Sequence, residues 1–241
     1  MISNKIPKVL VVEDELTARS LLMGYLQEQG WQVDALPGVE SVLTQVAQQD
    51  YDLIFLDIRL PGGDGLSLCR EIRAKFPAGV IFTTAIDDPI ERIVGLEAGA
   101  DAYYSKPLPM REMIAGAKAL LRRVDQIKQL SVDNPQANRR QYQFSGWCFD
   151  SATQRLSGQT VLSLSHNETV VLRALCDRAG ASVKRDDLMR ALGKIDWMPF
   201  DRTLDVLIGR LRSKLKKIVP DGGNLISAQY GKGYILNAQE I

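Results

Sequence analysis

Residues 53–65 read LIFLDIRLPGGDG. Leu53 to Leu56 form an unbroken apolar run, and the run ends on a carboxylate, Asp57. So short and so apolar a stretch fits a strand buried on both faces. A helical pattern, Gly65–Phe76, follows it. Moving outward in both directions, the same alternation recurs. Strands are expected at Lys8–Val12, Trp31–Ala35, Asp52–Asp57, Gly79–Thr84 and Ala102–Ser105. Helices are expected at Leu16–Gln29, Val39–Gln48, Gly65–Phe76, Asp88–Ala98 and Met110–Arg123. Strand followed by helix, five times over, predicts an α/β, doubly wound, five-stranded parallel sheet with helices on both faces.

Open parallel sheets bind ligands beyond the carboxyl ends of their strands. The first strand ends in Glu13-Asp14, the third in Asp57 and the fourth in Thr83-Thr84, while Lys106 follows the fifth. A lone Asp at a strand end is usually a helix cap or a solvated charge. Acids, hydroxyl and lysine together point to chemistry. Several carboxylates in one crevice repel unless a hard cation joins them. Mg²⁺ suits oxygen ligands and keeps positions open for water and phosphate oxygens. Asp57 then reads as a carboxylate nucleophile that forms an aspartyl phosphate. The metal and Lys106 would offset charge on the transferring group.

On the residues VVEDE at 11–15, LIFLDIRLPGGDG at 53–65, FTTA at 82–85 and GADAYYSKPL at 99–108, the first half resembles the receiver domains of two-component systems. The resemblance covers about residues 6–123. It implies that Glu13, Asp14, Asp57 and the backbone oxygen of Arg59 hold Mg²⁺, and that Asp57 is the phosphoacceptor. It also implies that Thr84 and Lys106 bind phosphoryl oxygens and that Tyr103 is an aromatic switch. A cis bond is expected at Lys106-Pro107. Among the family's dimer-face charges, Arg92, Glu112, Asp101 and Arg123 are retained, whereas Ala102 and Gly116 replace an acid and an arginine. The dimer face is therefore expected to be weaker or rearranged.

Residues 124–141 are polar, contain Asn134-Pro135 and break the alternation; they read as a helix tail and a flexible linker. The remainder differs in kind. Tyr142–Phe149, Arg155–Ser157 and Gln159–Leu164 read as short antiparallel strands. Ser165-His166-Asn167-Glu168 reads as a capping box that opens a helix, Glu168–Ala179. Helices at Arg185–Leu192 and Asp201–Ile218 follow, and then strands at Leu225–Ala228 and Tyr234–Leu236 around a glycine turn. On the long helix, Leu204, Ile208, Leu211 and Leu215 form a buried stripe, opposite Arg202, Val206, Arg210, Ser213 and Lys217. A helix of this kind fits the major groove, and basic flanks neutralise phosphates.

The segments LSLSHNETVVLRAL at 162–175, FDRTLDVLIGRLRSKL at 200–215 and YGKGYIL at 230–236 resemble the winged-helix effector domain of the OmpR/PhoB response regulators. The expected organisation is a receiver at 1–123, a linker at 124–141 and a winged helix-turn-helix domain with small antiparallel sheets at 142–241. The resemblance makes Asp201–Ile218 the recognition helix and puts Gly231–Tyr234 at the wing. It implies base contacts from Arg210 and Val206, and contacts to DNA from Arg202, Thr203, Arg212, Lys214, Lys217 and Lys232. Leu207, Gly209 and Tyr230 stand where relatives often carry polar or basic residues, which predicts a shallow salt dependence.

Composition sets the outer bounds. The net charge is +1, yet residues 1–123 hold 13 Lys and Arg against 17 Asp and Glu, and the rest holds 17 against 12. An acidic, cation-binding half thus precedes a basic one. No apolar run reaches the ~20 residues of a membrane span, and the start lacks a signal-peptide pattern. Three scattered cysteines without a CxxC pair argue against disulfides or zinc and fit a cytoplasmic protein. The single histidine, His166, excludes a His-pair mechanism and is expected to be exposed. The resulting expectation is a regulator and not a metabolic enzyme. Its partners would be a sensor histidine kinase, double-stranded DNA, possible RNA polymerase and, once phosphorylated, a second copy of the chain.

Overall fold

The computed structural model describes residues 6–76, 78–129, 141–144, 146–193, 202–219, 224–229 and 232–238, the side chains of 123–129 excepted. The chain divides into two compact units between Gln126 and Ile127.

The first unit runs β1 Lys8–Val12, α1 Leu16–Glu28, β2 Gln32–Leu36, α2 Val42–Gln48, β3 Leu53–Leu56, β4 Arg59–Leu60, β5 Gly63–Asp64, α3 Gly65–Lys75, β6 Gly79–Thr84, α4 Pro89–Ala98, β7 Ala102–Ser105 and α5 Met110–Gln129. Its parallel sheet has the order β2-β1-β3-β6-β7. Side chains alternate across a strand. Accordingly Leu53 and Phe55 pack with Leu22, Leu26, Met113 and Leu120 on one face. Ile54 and Leu56 pack with Val42, Leu68, Ile72 and Phe82 on the other. That double burial is why β3 has no polar position. The order reverses where β1 lies between β2 and β3, and a crevice opens at such a switch point.

Two details go beyond the sequence reading. Leu60-Pro61-Gly62-Gly63 closes a two-residue hairpin, β4–β5, with Gly62 at φ 79°. Proline in second place and glycine in third is the combination a type II turn requires. The helix expected over Met110–Arg123 continues to Gln129, so 124–129 is indeed helix tail; 130–140 lie outside the described residues.

The second unit begins with an antiparallel meander, β8 Gln141–Phe144, β9 Trp147–Asp150, β10 Arg155–Ser157 and β11 Val161–Ser163. The single strand expected over Tyr142–Phe149 is two strands, because the chain reverses at Gly146, φ 84°. Phe144 and Trp147 stack across that reversal at 4.3 Å. Then come α6 His166–Cys176, β12 Ser182–Val183, α7 Arg185–Ala191, α8 Thr203–Ile218, β13 Ile226–Gln229 and β14 Gly233–Leu236, with sheet order β12-β14-β13. Leu204, Ile208, Leu211 and Leu215 of α8 are buried as expected, against Val171, Leu172 and Leu175 of α6. Leu207 joins this core and does not face outward.

The capping box is present in both directions. Glu168 N–H donates to Ser165 Oγ at 3.3 Å, and Ser165 N–H donates to Glu168 Oε2 at 2.7 Å. The helix therefore starts at His166 and not at Glu168. The expectation of an exposed His166 is wrong: it is 2% exposed, with Nδ1 2.8 Å from the Gln154 side-chain amide nitrogen. Leu164 N–H donates to Gln154 O at 2.8 Å, which ties this segment to the preceding turn.

Candidate functional site

At the carboxyl ends of β1 and β3 the structure brings Glu13, Asp14 and Asp57 together. One carboxylate oxygen from each lies within 4.8 Å of the others. Glu13 and Asp57 are buried and Asp14 is exposed, so the cluster opens on one side. Arg19 of α1 donates to the carbonyls of Glu13 (2.7 Å) and Asp14 (3.0 Å), fixing the turn that carries both acids. The sequence reading did not single out Arg19. Asp57 accepts from the Arg59 N–H at 3.1 Å. Lys106 Nζ lies 2.7 Å from both Asp57 and Glu13.

Burial pushes the Glu13 carboxyl above its usual range, and Lys106 only partly offsets this. Burial alone would lower the Lys106 ammonium, but its hydrogen bonds to Asp57 and Glu13 win, and its pKa ends raised. Oxygen donors this close, partly neutralised by one ammonium, are a fitting donor set for a hard divalent cation. The expected cis bond is present at Lys106-Pro107.

α3 is seated directly on the end of β3 that carries Asp57. A Cβ on Gly65 would stand 2.2 Å from the Asp57 carbonyl oxygen and 2.7 Å from Ile58 Cα. Only glycine lets the helix start there, with Gly65 N–H donating to Ile58 O at 2.9 Å.

Thr84 is fully buried at the end of β6, and its Oγ1 accepts from the Ile86 N–H at 3.3 Å. Tyr103, 8% exposed, donates its hydroxyl to the Ile86 carbonyl at 2.8 Å. Ile86 thus connects the two side chains through its own peptide groups. Burial, with the charges of Glu91, Asp87 and Asp88, pushes the Tyr103 phenol up to about 12.

The residues expected on a dimer face do not share one environment. Arg92 and Glu112 are exposed, and the Arg123 side chain lies outside the described residues. Asp101 departs from expectation: it is buried, paired with Arg73 and accepting from Val80 N–H at 3.0 Å. Arg73 also donates to the Gly99 and Ala78 carbonyls. A carboxylate taken out of water needs such partners, and they hold it away from the surface. Gly116 has a local reason, since a Cβ there would meet the Tyr104 hydroxyl at 2.2 Å.

The residues expected to contact DNA divide. Arg202, Lys217 and Lys232 are exposed. Arg210 is half-buried, and its Nε lies 3.0 Å from Glu168 Oε1. Lys214, one turn on, donates to Glu168 and to Ser163 O, each at 2.7 Å. Glu168 is fully buried, so it holds two cations of α8 against α6. Thr203 and Val206 are buried, and Arg212 donates to Ile226 O at 2.8 Å. The surface actually presented runs Arg202, Asp205, Gly209, Ser213, Lys216 and Lys217. Arg185 grips Asp205 with two hydrogen bonds, 2.8 and 2.9 Å, and Tyr234 donates to it at 2.6 Å. This tie between α7, α8 and β14 was not read from the sequence. Tyr230 and Gly231, expected at the wing, lie outside the described residues.

Comparison with known proteins agrees with both halves. The response regulator receiver domain matches residues 9–118. The C-terminal domain of transcriptional regulatory proteins matches residues 158–236. The chain is 41% identical to the transcriptional regulatory protein AruR of Pseudomonas aeruginosa, over 97% of each chain. It is 36% identical to the TorCAD operon transcriptional regulatory protein TorR of Escherichia coli, over 95% of this chain and 97% of that one. A solved structure of a RitR mutant shares the fold with a TM-score of 0.80 at 24% identity, covering 98% of this chain and all of that one. No helix among the described residues is long and apolar enough to cross a membrane. With an acidic pocket on a doubly wound sheet, a winged-helix unit later in the chain and relatives matching over 95% or more of its length, the chain belongs to the OmpR/PhoB-type two-component response regulators, which control transcription.

Proposed function

We propose that Asp57 accepts a phosphoryl group from the phosphohistidine of a sensor kinase. The observation that carries this reading is the grouping of Asp57, Glu13, Asp14 and Lys106 at one end of the sheet. A carboxylate oxygen of Asp57 bonds to phosphorus as the phosphorus–nitrogen bond of the donor breaks. The electron pair of that bond stays on the donor imidazole. Glu13, Asp14, Asp57 and the Arg59 carbonyl would hold Mg²⁺, which when bound offsets negative charge on the phosphoryl oxygens. Lys106, already beside Asp57, binds one of those oxygens, and Thr84 meets another. Drawing Thr84 inward pulls on the Ile86 peptide and hence on Tyr103, through the hydrogen bonds that join them.

The output is dimerisation and tighter binding of α8 and the β13–β14 wing to duplex DNA. Arg202, Lys217 and Lys232 neutralise phosphates in this reading, and Arg210 and Lys214 brace the helix from behind. The dimer uses the surface around Arg92 and Glu112, without Asp101. The protein works in the cytoplasm, where kinase and chromosome meet; RNA polymerase is a further partner.

Intact-protein mass after incubation with acetyl phosphate and Mg²⁺ tests the first step. Wild type gains one phosphoryl group and Asp57→Ala gains none. A gain that survives Asp57→Ala moves the acceptor elsewhere, and no gain in wild type under kinase as well as acetyl phosphate ends the reading.

A further inference from the structure

Gly209 stands in the middle of the exposed face of α8, where none of the described residues calls for glycine. Its φ is not positive, so the backbone does not require it. A Cβ built there meets no described atom within 4 Å, so packing does not require it either. Glycine weakens a helix interior relative to alanine. The residue is thus unfavourable for the helix and finds no compensation among the described residues.

Its neighbours on the same face also lie low. Ser213 folds its hydroxyl back onto the Gly209 carbonyl at 3.1 Å. Asp205 is drawn toward Arg185 and Tyr234. Long cations stand at the two ends of the strip, Arg202 before it and Lys216 and Lys217 after it. The face is a saddle with bare backbone at its lowest point.

We infer that Gly209 is a specificity-determining position, the point where base edges in the DNA major groove approach the α8 backbone more closely than any side chain would permit. This rests on the DNA-binding reading above. In it, Arg202, Lys216 and Lys217 settle on phosphates at either side, and the shape of the groove floor is read at Gly209. Any Cβ at this position lifts the helix off that floor.

The test uses the full chain, phosphorylated, as wild type, Gly209→Ala and Gly209→Leu. The probes are a duplex enriched by the wild type from a randomised pool and a random-sequence duplex of equal length. Gly209→Ala keeps or raises the thermal transition of the wild type. It loses roughly tenfold in affinity for the enriched duplex, the scale of one spoiled base-pair contact, and Gly209→Leu loses more. Both stay within about twofold of wild type on the random duplex, which reports phosphates alone. Alanine binding the enriched duplex as well as glycine overturns the inference, and so do equal losses on both probes. A lowered thermal transition in Gly209→Ala overturns it too, since glycine would then serve the fold. If the wild type enriches no sequence, the DNA-binding reading fails and takes this inference with it.

Discussion

Glu168 shows what a single residue can do when its partners are fixed by the fold. Burial alone would push its carboxyl up, yet Arg210 and Lys214 outweigh that and hold it at about 2, below the usual 4.5. A depressed folded-state pKa stabilises the protein fully above pH 4.5, where the unfolded carboxyl is also ionised. The contribution is lost as the pH falls from there toward 2. A shift of this size corresponds to roughly 3 kcal/mol. Urea unfolding of the winged-helix unit should therefore weaken by that order between pH 5 and about pH 2 in wild type. In Glu168→Gln the midpoint at pH 7 should already be low, and this part of the pH dependence should vanish. An unchanged pH profile in the variant would remove Glu168 from the account. The sequence made the capping role of Glu168 legible, because Ser165 and Glu168 are neighbours in the chain. Its pairing with Arg210 was hidden, because that contact exists only once α6 and α8 pack. For the same reason Arg210 and Lys214 looked like free DNA contacts, and Asp101 like a free dimer charge.

Among elements, strands were easier to read than the connections between them. β3 is apolar at every position because both its faces are covered, so the position of Asp57 followed from the run itself. The β4–β5 hairpin went unread although Pro61-Gly62 marks it, since two-residue strands carry no periodicity. α3 is placed by contact and not by pattern: its first residue must clear the Asp57 carbonyl, and only Gly65 does. In Gly65→Ala the new methyl forces α3 away from the β3 end and drags the Asp57–Ile58 backbone with it. Overpacking of this kind costs about 2 kcal/mol or more. The receiver should lose that much unfolding free energy, so its urea transition should move to lower denaturant. The rate of phosphorylation by acetyl phosphate should fall, because Asp57 no longer faces Lys106 as it does at 2.7 Å. A variant as stable and as quickly phosphorylated as wild type would show that α3 is free to shift.

At the scale of the whole molecule, the charge asymmetry read from composition overstates what DNA can meet. Residues 124–241 carry 17 Lys and Arg, but several of the basic residues on α8 are committed inside the fold. Arg210 and Lys214 neutralise Glu168, and Arg212 serves the Ile226 carbonyl. Arg185 is likewise engaged with Asp205. Among the contacts expected for DNA, Arg202, Lys217 and Lys232 remain exposed, with Lys216 beside them. Each phosphate neutralised releases counterions, so the fall of log affinity with log salt counts those contacts at about 0.9 per phosphate. The phosphorylated chain on its enriched duplex should give a slope well short of about seven phosphates per subunit. Lys217→Ala should lower that slope by about one and weaken binding to all sequences alike. Lys214→Ala should leave the slope unchanged and act through stability, since its ammonium is held by Glu168 and the Ser163 carbonyl. A slope of seven or more, or one that drops with Lys214→Ala, would mean that the buried pairs open on DNA and that their cations turn outward to the phosphates.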